Sequence, residues 1–465
     1  MKPLTLLLSI LLLTGCGNMT RSDYQRPLLS VPEDWQRSEE HSKSSSEAKN
    51  DRWWHRFDDP RLSRIIGQVL ESNNDLAAAA LTLKQARVAA GLAQTNISPD
   101  VTLNSAGTSS HSLKNGNVQE NYSTSLALSY ELDLWGKLAR VREQSEWEAI
   151  SSAQDYQAIA LSTIDTTAQL YWNIALLNQQ IVYQKSSLDI AKLTLTQIES
   201  WQRAGKIGLL DVLQSRQTVI SHQNALRKLN QQRAISRNAL ALLLNRPPAQ
   251  HSDEAQALDL QQQVAIDSVT PLVVLASRPD LQAAESRLRA ALAGSDAARL
   301  SFYPTLSLQG TLSAGSQIFH QWFNDPLGVA GGSVGAPFIQ WNKVQLTVEQ
   351  ASLQVQQEAV NFRRTAYTAL SEVDNAMEKR LNADEQRESL QQSLLLGQQR
   401  LTLTESRYRA GAVDYQTLLN AQDALLDVQN SLAQNQYDYL YATLQLWLAQ
   451  GGNNPQQRTF QNESE

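Results

Sequence analysis

The chain has 465 residues, a net charge of −6 and a pI of about 5.7. That acidic balance leaves no basic patch for nucleic acid, and a single cysteine, Cys16, rules out an internal disulfide framework. The six histidines are scattered, with no His-Glu-x-x-His pair, no Gly-x-Ser-x-Gly elbow and no P-loop, so the chain does not read as an enzyme and calls for no cofactor.

In chain order, Lys2, the apolar run Leu4 to Leu13 and the small residues before Cys16 read as a secretory signal over 1–15. The run is too short to cross a bilayer as a helix. Residues 16–59 read as an anchor and N-terminal tether, Ser-rich and polar over 38–50. No later apolar run approaches 20 residues, which leaves only β-strands as a way across a membrane.

Residues 100–134 read as a hairpin. Leu126, Leu128, Tyr130, Leu132 and Leu134 alternate with small or charged residues, giving one apolar face. Val101 and Leu103 do the same before the Asn115-Gly116-Asn117 turn. A second hairpin is expected over 304–341, with Leu306, Leu308 and Leu312 alternating. Each hairpin leads into long helices, 137–245 and 343–449. Lys137 to Ala204 contains neither Gly nor Pro, and Lys343 to Ala410 contains only Gly397. Fully helical, each stretch would run roughly 100 Å. Leu170, Ile174, Leu177, Ile181, Leu188, Ala191, Leu195 and Ile198 follow alternating four- and three-residue steps, the mark of supercoiled helices. Gln184 and Gln202 interrupt that stripe and suit a wall with one wetter face.

The two halves repeat each other. A shift of 205 carries Asp75-Leu76 onto Asp280-Leu281, Pro99 onto Pro304 and Leu103 onto Leu308. A shift of 206 carries Trp135 onto Trp341, and Arg203-Ala204-Gly205 onto Arg409-Ala410-Gly411. The organisation is therefore a first repeat over 60–250, a second over 251–450 and a disordered tail over 451–465. Each repeat runs helix, strand, strand, long helix, break, helix. Four strands cannot close a barrel, and open edges are not tolerated in lipid, so several chains must share one.

Several motifs resemble the TolC-like outer membrane factor family, in its lipoprotein efflux form. Leu13-Thr14-Gly15-Cys16 resembles a lipobox. Trp53-Trp54-His55-Arg56-Phe57-Asp58-Asp59-Pro60 resembles the family's entry motif, with Tyr24, Arg26 and Pro27 before it. Tyr130 to Lys137 resembles the end of its second strand, and Arg407-Tyr408-Arg409-Ala410-Gly411 its periplasmic tip. The resemblance covers nearly all of 20–450. It implies an α+β membrane protein, internally duplicated, with a long α-helical coiled-coil barrel and a transmembrane β-barrel shared by three chains, four strands from each. It implies a homotrimer in the outer membrane, with lipid on Cys16 and Gly17 consistent with outer-membrane sorting. A periplasmic adaptor and an inner-membrane pump would be its partners, and passive conduction its function.

Carried over residue by residue, the resemblance assigns Asp211 and Tyr408 to the periplasmic gate. Thr417 and Asn420 stand where the family often has acidic pore rings, and Val413 where it has an arginine, so inner-ring charge is lost unless Asp414 supplies it. Ala204, Gly205, Ala410 and Gly411 become the adaptor-docking tips. Plainer readings exist beside these. Asp211 suits a first-turn acid at a helix N-terminus, and the two glycines suit left-handed helix C-caps. His55 with Asp58 and Asp59 is the best metal candidate, but packing within the Trp-Trp motif explains it more simply, and no metal is expected. A protein-secretion duct and a lipid-anchored periplasmic coiled-coil scaffold without a pore are the alternative functions.

Overall fold

The computed structural model describes residues 21–35, 53–248, 250, 253–266 and 270–452. Cys16, the signal and the 38–50 tether lie outside the described residues. The elements run α1 (Pro60–Ser72), α2 (Asn74–Gln94), β1 (Asp100–His111), β2 (Val118–Leu132), α3 (Lys137–Arg203) and α4 (Leu209–Leu243). They continue as α5 (Pro271–Ser277), α6 (Pro279–Leu300), β3 (Thr305–Ser316), β4 (Pro326–Gly335), α7 (Trp341–Arg409) and α8 (Tyr415–Ala449). No helix among the described residues is long and apolar enough to cross a membrane.

Contacts divide the chain into two compact units. One takes the described residues up to Leu29 with Leu81–Asp155 and Asp280–Thr365, and the other takes Ser30–Ala80, Tyr156–Pro279 and the chain from Ala366. Each repeat contributes to both.

The first unit holds a four-stranded antiparallel sheet in the order β1-β2-β3-β4. Its register sets Leu103 against Leu126, Leu126 against Leu312, and Leu308 against Gly332. Side chains alternate across a sheet, so Val101, Leu103, Leu126, Leu128, Leu306, Leu308, Leu312 and Val334 share one face. Thr102, Asn104, Ser123, Ser125, Ser307, Gln309, Thr311 and Ser313 share the other. Val329 and Leu327 are the large apolar exceptions on the polar side. Ten residues at about 3.3 Å, tilted as barrel strands are, give an apolar band of roughly 25 Å, the height of an outer-membrane barrel's lipid face. Aromatic rings gather at both ends of the strands. Trp135 stacks on Tyr303 (5.0 Å between centroids) and Trp341 meets Phe302 edge-on (5.1 Å) at the helical end. Tyr122 packs with Phe319 (5.3 Å), and Trp322 with Phe323 (5.6 Å), at the hairpin end. Rings at both borders of an apolar band are the pattern of membrane-water interfaces.

The chain before the first helix is fixed to this unit. The Ser22 amide and hydroxyl donate to Asp296 at 2.8 and 2.7 Å, and the Arg289 guanidinium covers the Tyr24 ring at 4.3 Å. Burial, with Glu285 beside it, pushes the Tyr24 hydroxyl up to about 12.

The second unit is organised on the Trp-Trp motif. Trp53, Trp54 and Phe57 form a buried 3₁₀ turn, and Phe57 packs on Trp172 (4.9 Å) and Trp447 (6.0 Å). Asp59 then caps α1, accepting from the Arg61 and Leu62 amides at 2.9 and 3.1 Å. Its other oxygen accepts from the buried Tyr171 hydroxyl at 2.7 Å. Asp59 is thus spent on a cap and a core hydroxyl, and no group of metal-binding side chains occurs among the described residues. Two residues expected in the disordered tail, Gly451 and Gly452, are buried. They close α8 through bonds to Leu448 (2.9 Å) and Trp447 (3.1 Å), so the chain is ordered at least this far. The rest of that tail, 453–465, lies outside the described residues.

The heptad stripe of α3 is real, and Gln184 belongs to it. Ile174, Leu177, Ile181, Gln184, Leu188, Ala191 and Ile198 are all buried. Gln184 sits in the four-three rhythm, with its amide nitrogen 2.8 Å from His222 Nδ1 on α4. A seam glutamine with a bonded partner fixes register between two helices, as polar seam residues do. Leu188 and Ala191 then close on Val219.

Candidate functional site: the paired helical turns

The two helix-to-helix breaks are the same structure made twice. After α3, the Lys206 amide donates to Trp201 O (2.9 Å) and the Gly205 amide to Gln202 O (2.9 Å). After α7, the Ala412 amide donates to Arg407 O (2.9 Å) and the Gly411 amide to Tyr408 O (3.0 Å). These are Schellman closures with a left-handed glycine, Gly205 at φ +71° and Gly411 at φ +72°. Ala204, Gly205, Ala410 and Gly411 are all exposed. Nothing lies within 4 Å of a Cβ built on either glycine, so an alanine there would suffer only from its backbone. Gly411→Ala is expected to loosen this turn by about 1 kcal/mol. The loosening should appear as faster amide hydrogen exchange over 406–414, and unchanged exchange would contradict it.

The helices that leave these turns differ in one respect. α4 starts at Gly208, which has no side chain to cap it, and carries Asp211 in its first turn. α8 starts at Asp414, whose carboxylate accepts from the Thr417 amide at 2.8 Å. The Thr417 hydroxyl and then its amide hold the Asp414 carboxyl below its ordinary range. Each helix N-terminus therefore has one carboxylate beside its positive end, three positions apart between the repeats. Thr417 is an acceptor's partner here, exposed, and supplies no charge.

Tyr408 sits between Trp201 (5.5 Å) and Tyr415 (6.1 Å). It packs against the cluster of Ile198, Val212, Tyr415, Leu418 and Leu419, which draws on both breaks. Burial first, then Tyr415 and Asp211, push its hydroxyl up to about 12. The sequence-assigned residues Asp211, Tyr408, Asp414 and Thr417 are thus gathered at one place. Asn420 joins through amides: the Gln416 side chain donates to Asn420 Oδ1 at 2.9 Å and accepts from Gln214 across from α4. An ion pair between Arg216 and Glu199 (2.8 Å) ties α4 back to α3.

Trp201, Tyr415, Gln214 and Gln416 carry much of this geometry and were not singled out from the sequence. Two of them could have been: Trp201 stands four residues before Gly205, and Tyr415 follows Gly411 by four. Exposed Leu209, Leu210 and Leu213 add an apolar patch at the start of α4.

A sheet with one lipid-like face, aromatic borders and long coiled helices ending in paired turns defines a subunit of an outer-membrane channel. The outer membrane efflux protein model matches residues 65–246 and 271–452, one match for each repeat, and the chain belongs to that family. It is 30% identical to the pyoverdine export outer membrane protein OpmQ of Pseudomonas putida, over 91% of this chain and 92% of that one. It is 27% identical to the cation efflux system protein CusC of Escherichia coli K12, over 95% and 97% of the two chains. A crystal structure of CusC superposes with a TM-score of 0.80 over 93% of this chain and 99% of that one, at 26% identity. A Salmonella typhimurium protein described as a probable outer membrane lipoprotein, SilC, is 27% identical over 96% and 97%. The fold is therefore that of the trimeric helical-barrel and β-barrel channels, and the chain is an outer-membrane exit duct for efflux.

Proposed function

We propose that the chain acts as a homotrimer whose paired turns are both gate and docking point. A periplasmic adaptor would seat on Ala204-Gly205 and Ala410-Gly411, beneath it an inner-membrane pump that supplies the energy and the selection. The observation that carries this reading is the repeated exposed Schellman turn, because a surface formed identically by both repeats offers a symmetric partner equivalent places to bind.

The cargo under this reading is a small solute. Support comes from the relatives, one named for pyoverdine export and another for cation efflux. A lipid on Cys16 is part of the same proposal, supported by the lipobox and by the lipoprotein relative. The gate is carried by Asp211 and Asp414, while Thr417 and Asn420 contribute polarity without charge. Three symmetry-related carboxylates around a narrow opening concentrate cations. Asp211→Ala is expected to lower the cation-to-anion permeability ratio in planar bilayers or to raise conductance by loosening Tyr408. Unchanged ratio and conductance would remove Asp211 from the pore. Deleting the gene should raise accumulation of the exported solute, and alanine-to-bulky changes at Ala204 and Ala410 should do the same while leaving bilayer conductance intact. Loss of both would place these residues in the channel itself.

A further inference from the structure

A groove of about 1100 Å³ opens on the first unit, away from the helical turns. Its walls are the end of α6, from Arg299 to Tyr303, and the first turns of α7, from Trp341 to Gln356, with Arg21 and Ser22 of the segment before α1 beside them. It lies between two helices of one chain, so it belongs to the subunit itself and not to its free strand edges. Phe302, Tyr303 and Trp341 line it and also form the aromatic border at the helical end of the sheet. Such rings sit at head-group level in a bilayer, so the groove begins where the apolar band ends. Next to the rings its wall is apolar: Val344 is buried and Val348 half-buried.

The polar lining has a definite charge pattern. Arg299 Nη2 donates to Ser22 Oγ at 2.6 Å and pairs with Asp296. Arg21 Nη2 pairs with Glu143, which Arg140 shares. Both arginine side chains remain half exposed, and a guanidinium has five N–H donors, so each keeps donors to offer. Across the groove on α7, Glu349 is exposed and has no hydrogen bond or ion pair among the described residues. The two arginines already have carboxylate partners, so a bare anion would meet donors without net attraction, and would face Glu349 besides. A head group that carries both a phosphate and an ammonium matches both walls. Guanidinium donors suit phosphate oxygens, and the free carboxylate suits the ammonium.

We propose that this groove is a binding site for a zwitterionic aminophospholipid of the membrane leaflet that faces the helices. Its phosphate lies on Arg21 and Arg299, its ammonium on Glu349, and its glycerol end against Trp341, Val344 and Val348. The site is separate from the gate and from the docking turns. A lipid held there by its head fixes the depth of the subunit in the bilayer, which an apolar band alone sets only loosely.

The test is native mass spectrometry of the purified full-length protein in detergent, with phosphatidylethanolamine or phosphatidylglycerol of the same acyl chains added. The expected result is saturation at one phosphatidylethanolamine per chain, retained about two- to fivefold more than phosphatidylglycerol, the range that one part-exposed ion pair gives. Glu349→Gln should bring the two lipids level. Ser352→Trp, at an exposed position on the groove wall, should remove retention of both, with the mass of the assembly unchanged as the sign that the variant folds. Equal retention of the two lipids by the unaltered protein would overturn the proposal, and so would retention that neither variant changes. Phosphatidylethanolamine retained only after Cys16→Ser would give the groove to the chain's own lipid and overturn it as well. If Ser352→Trp fails to assemble, Glu349→Gln, which alters one surface charge, decides alone.

Discussion

Replacing Phe57 with alanine should destabilise the second unit by about 3–5 kcal/mol, the cost of removing a fully buried ring and leaving its cavity. Phe57 is 1% exposed and touches Trp172 and Trp447. Those two rings come from α3 and α8, so the entry motif joins elements from both repeats in a single core. The Trp447 ring also packs on Trp53 at 5.1 Å and cannot move into the gap without giving up that contact, which keeps the cost within that range. A matched change at Leu113, which is 98% exposed in the first hairpin turn, should stay within about 0.5 kcal/mol. Both are read by unfolding in detergent at one fixed protein concentration, since assembly adds to apparent stability. Equal effects from the two substitutions would mean that the Trp-Trp turn is not part of the core.

The second large effect concerns pH. Asp165 on α3 is partly buried, and one of its carboxylate oxygens is shut off from water without a partner. Burial raises its pKa from 3.8 to about 6, against a smaller opposing effect of the Tyr441 hydroxyl. The folded state thus holds this proton more tightly than the unfolded chain does. Below pH 3.8 the group costs nothing. Between 3.8 and about 6 stability falls as pH rises, and above about 6 the full penalty remains. Two pH units correspond to about 3 kcal/mol, and the partial exposure of the side chain brings the expectation to about 1–3 kcal/mol. Asp165→Asn keeps the shape, removes the charge, and should stabilise the protein by that amount at pH 7 and hardly at all at pH 3.5. A destabilised Asn variant at pH 7 would show that the carboxylate is satisfied in the folded protein.

Much of this was legible in the residues because it is periodic or duplicated. The alternation through Leu126, Leu128 and Tyr130 puts those side chains on the apolar face that the register confirms. The Arg-Ala-Gly step foretells two turns because glycine is the residue that a left-handed C-cap favours. What was not legible depends on partners far apart in sequence. Gln184 breaks a hydrophobic pattern on paper, yet it is a seam position once His222 is opposite it. Asp414 reads as a possible pore charge, and only the direction of its side chain shows that it also caps α8. Trp447 completes the core around Trp53 and Phe57 from the far end of the chain, which no local period announces. The two repeats are consecutive in sequence, yet each contributes to both compact units, because α3 and α7 each run from one unit into the other.

The central claim is that three copies of this chain enclose one conducting path, and its most direct test is a combined measurement on the purified protein. Its mass would be determined in detergent, and its single-channel conductance in a planar bilayer from the same preparation. A trimeric mass with small, mildly cation-selective conductance, enlarged by Asp211 or Tyr408 substitutions, is the predicted result. A monomer or dimer that never conducts, with or without those substitutions, would contradict it.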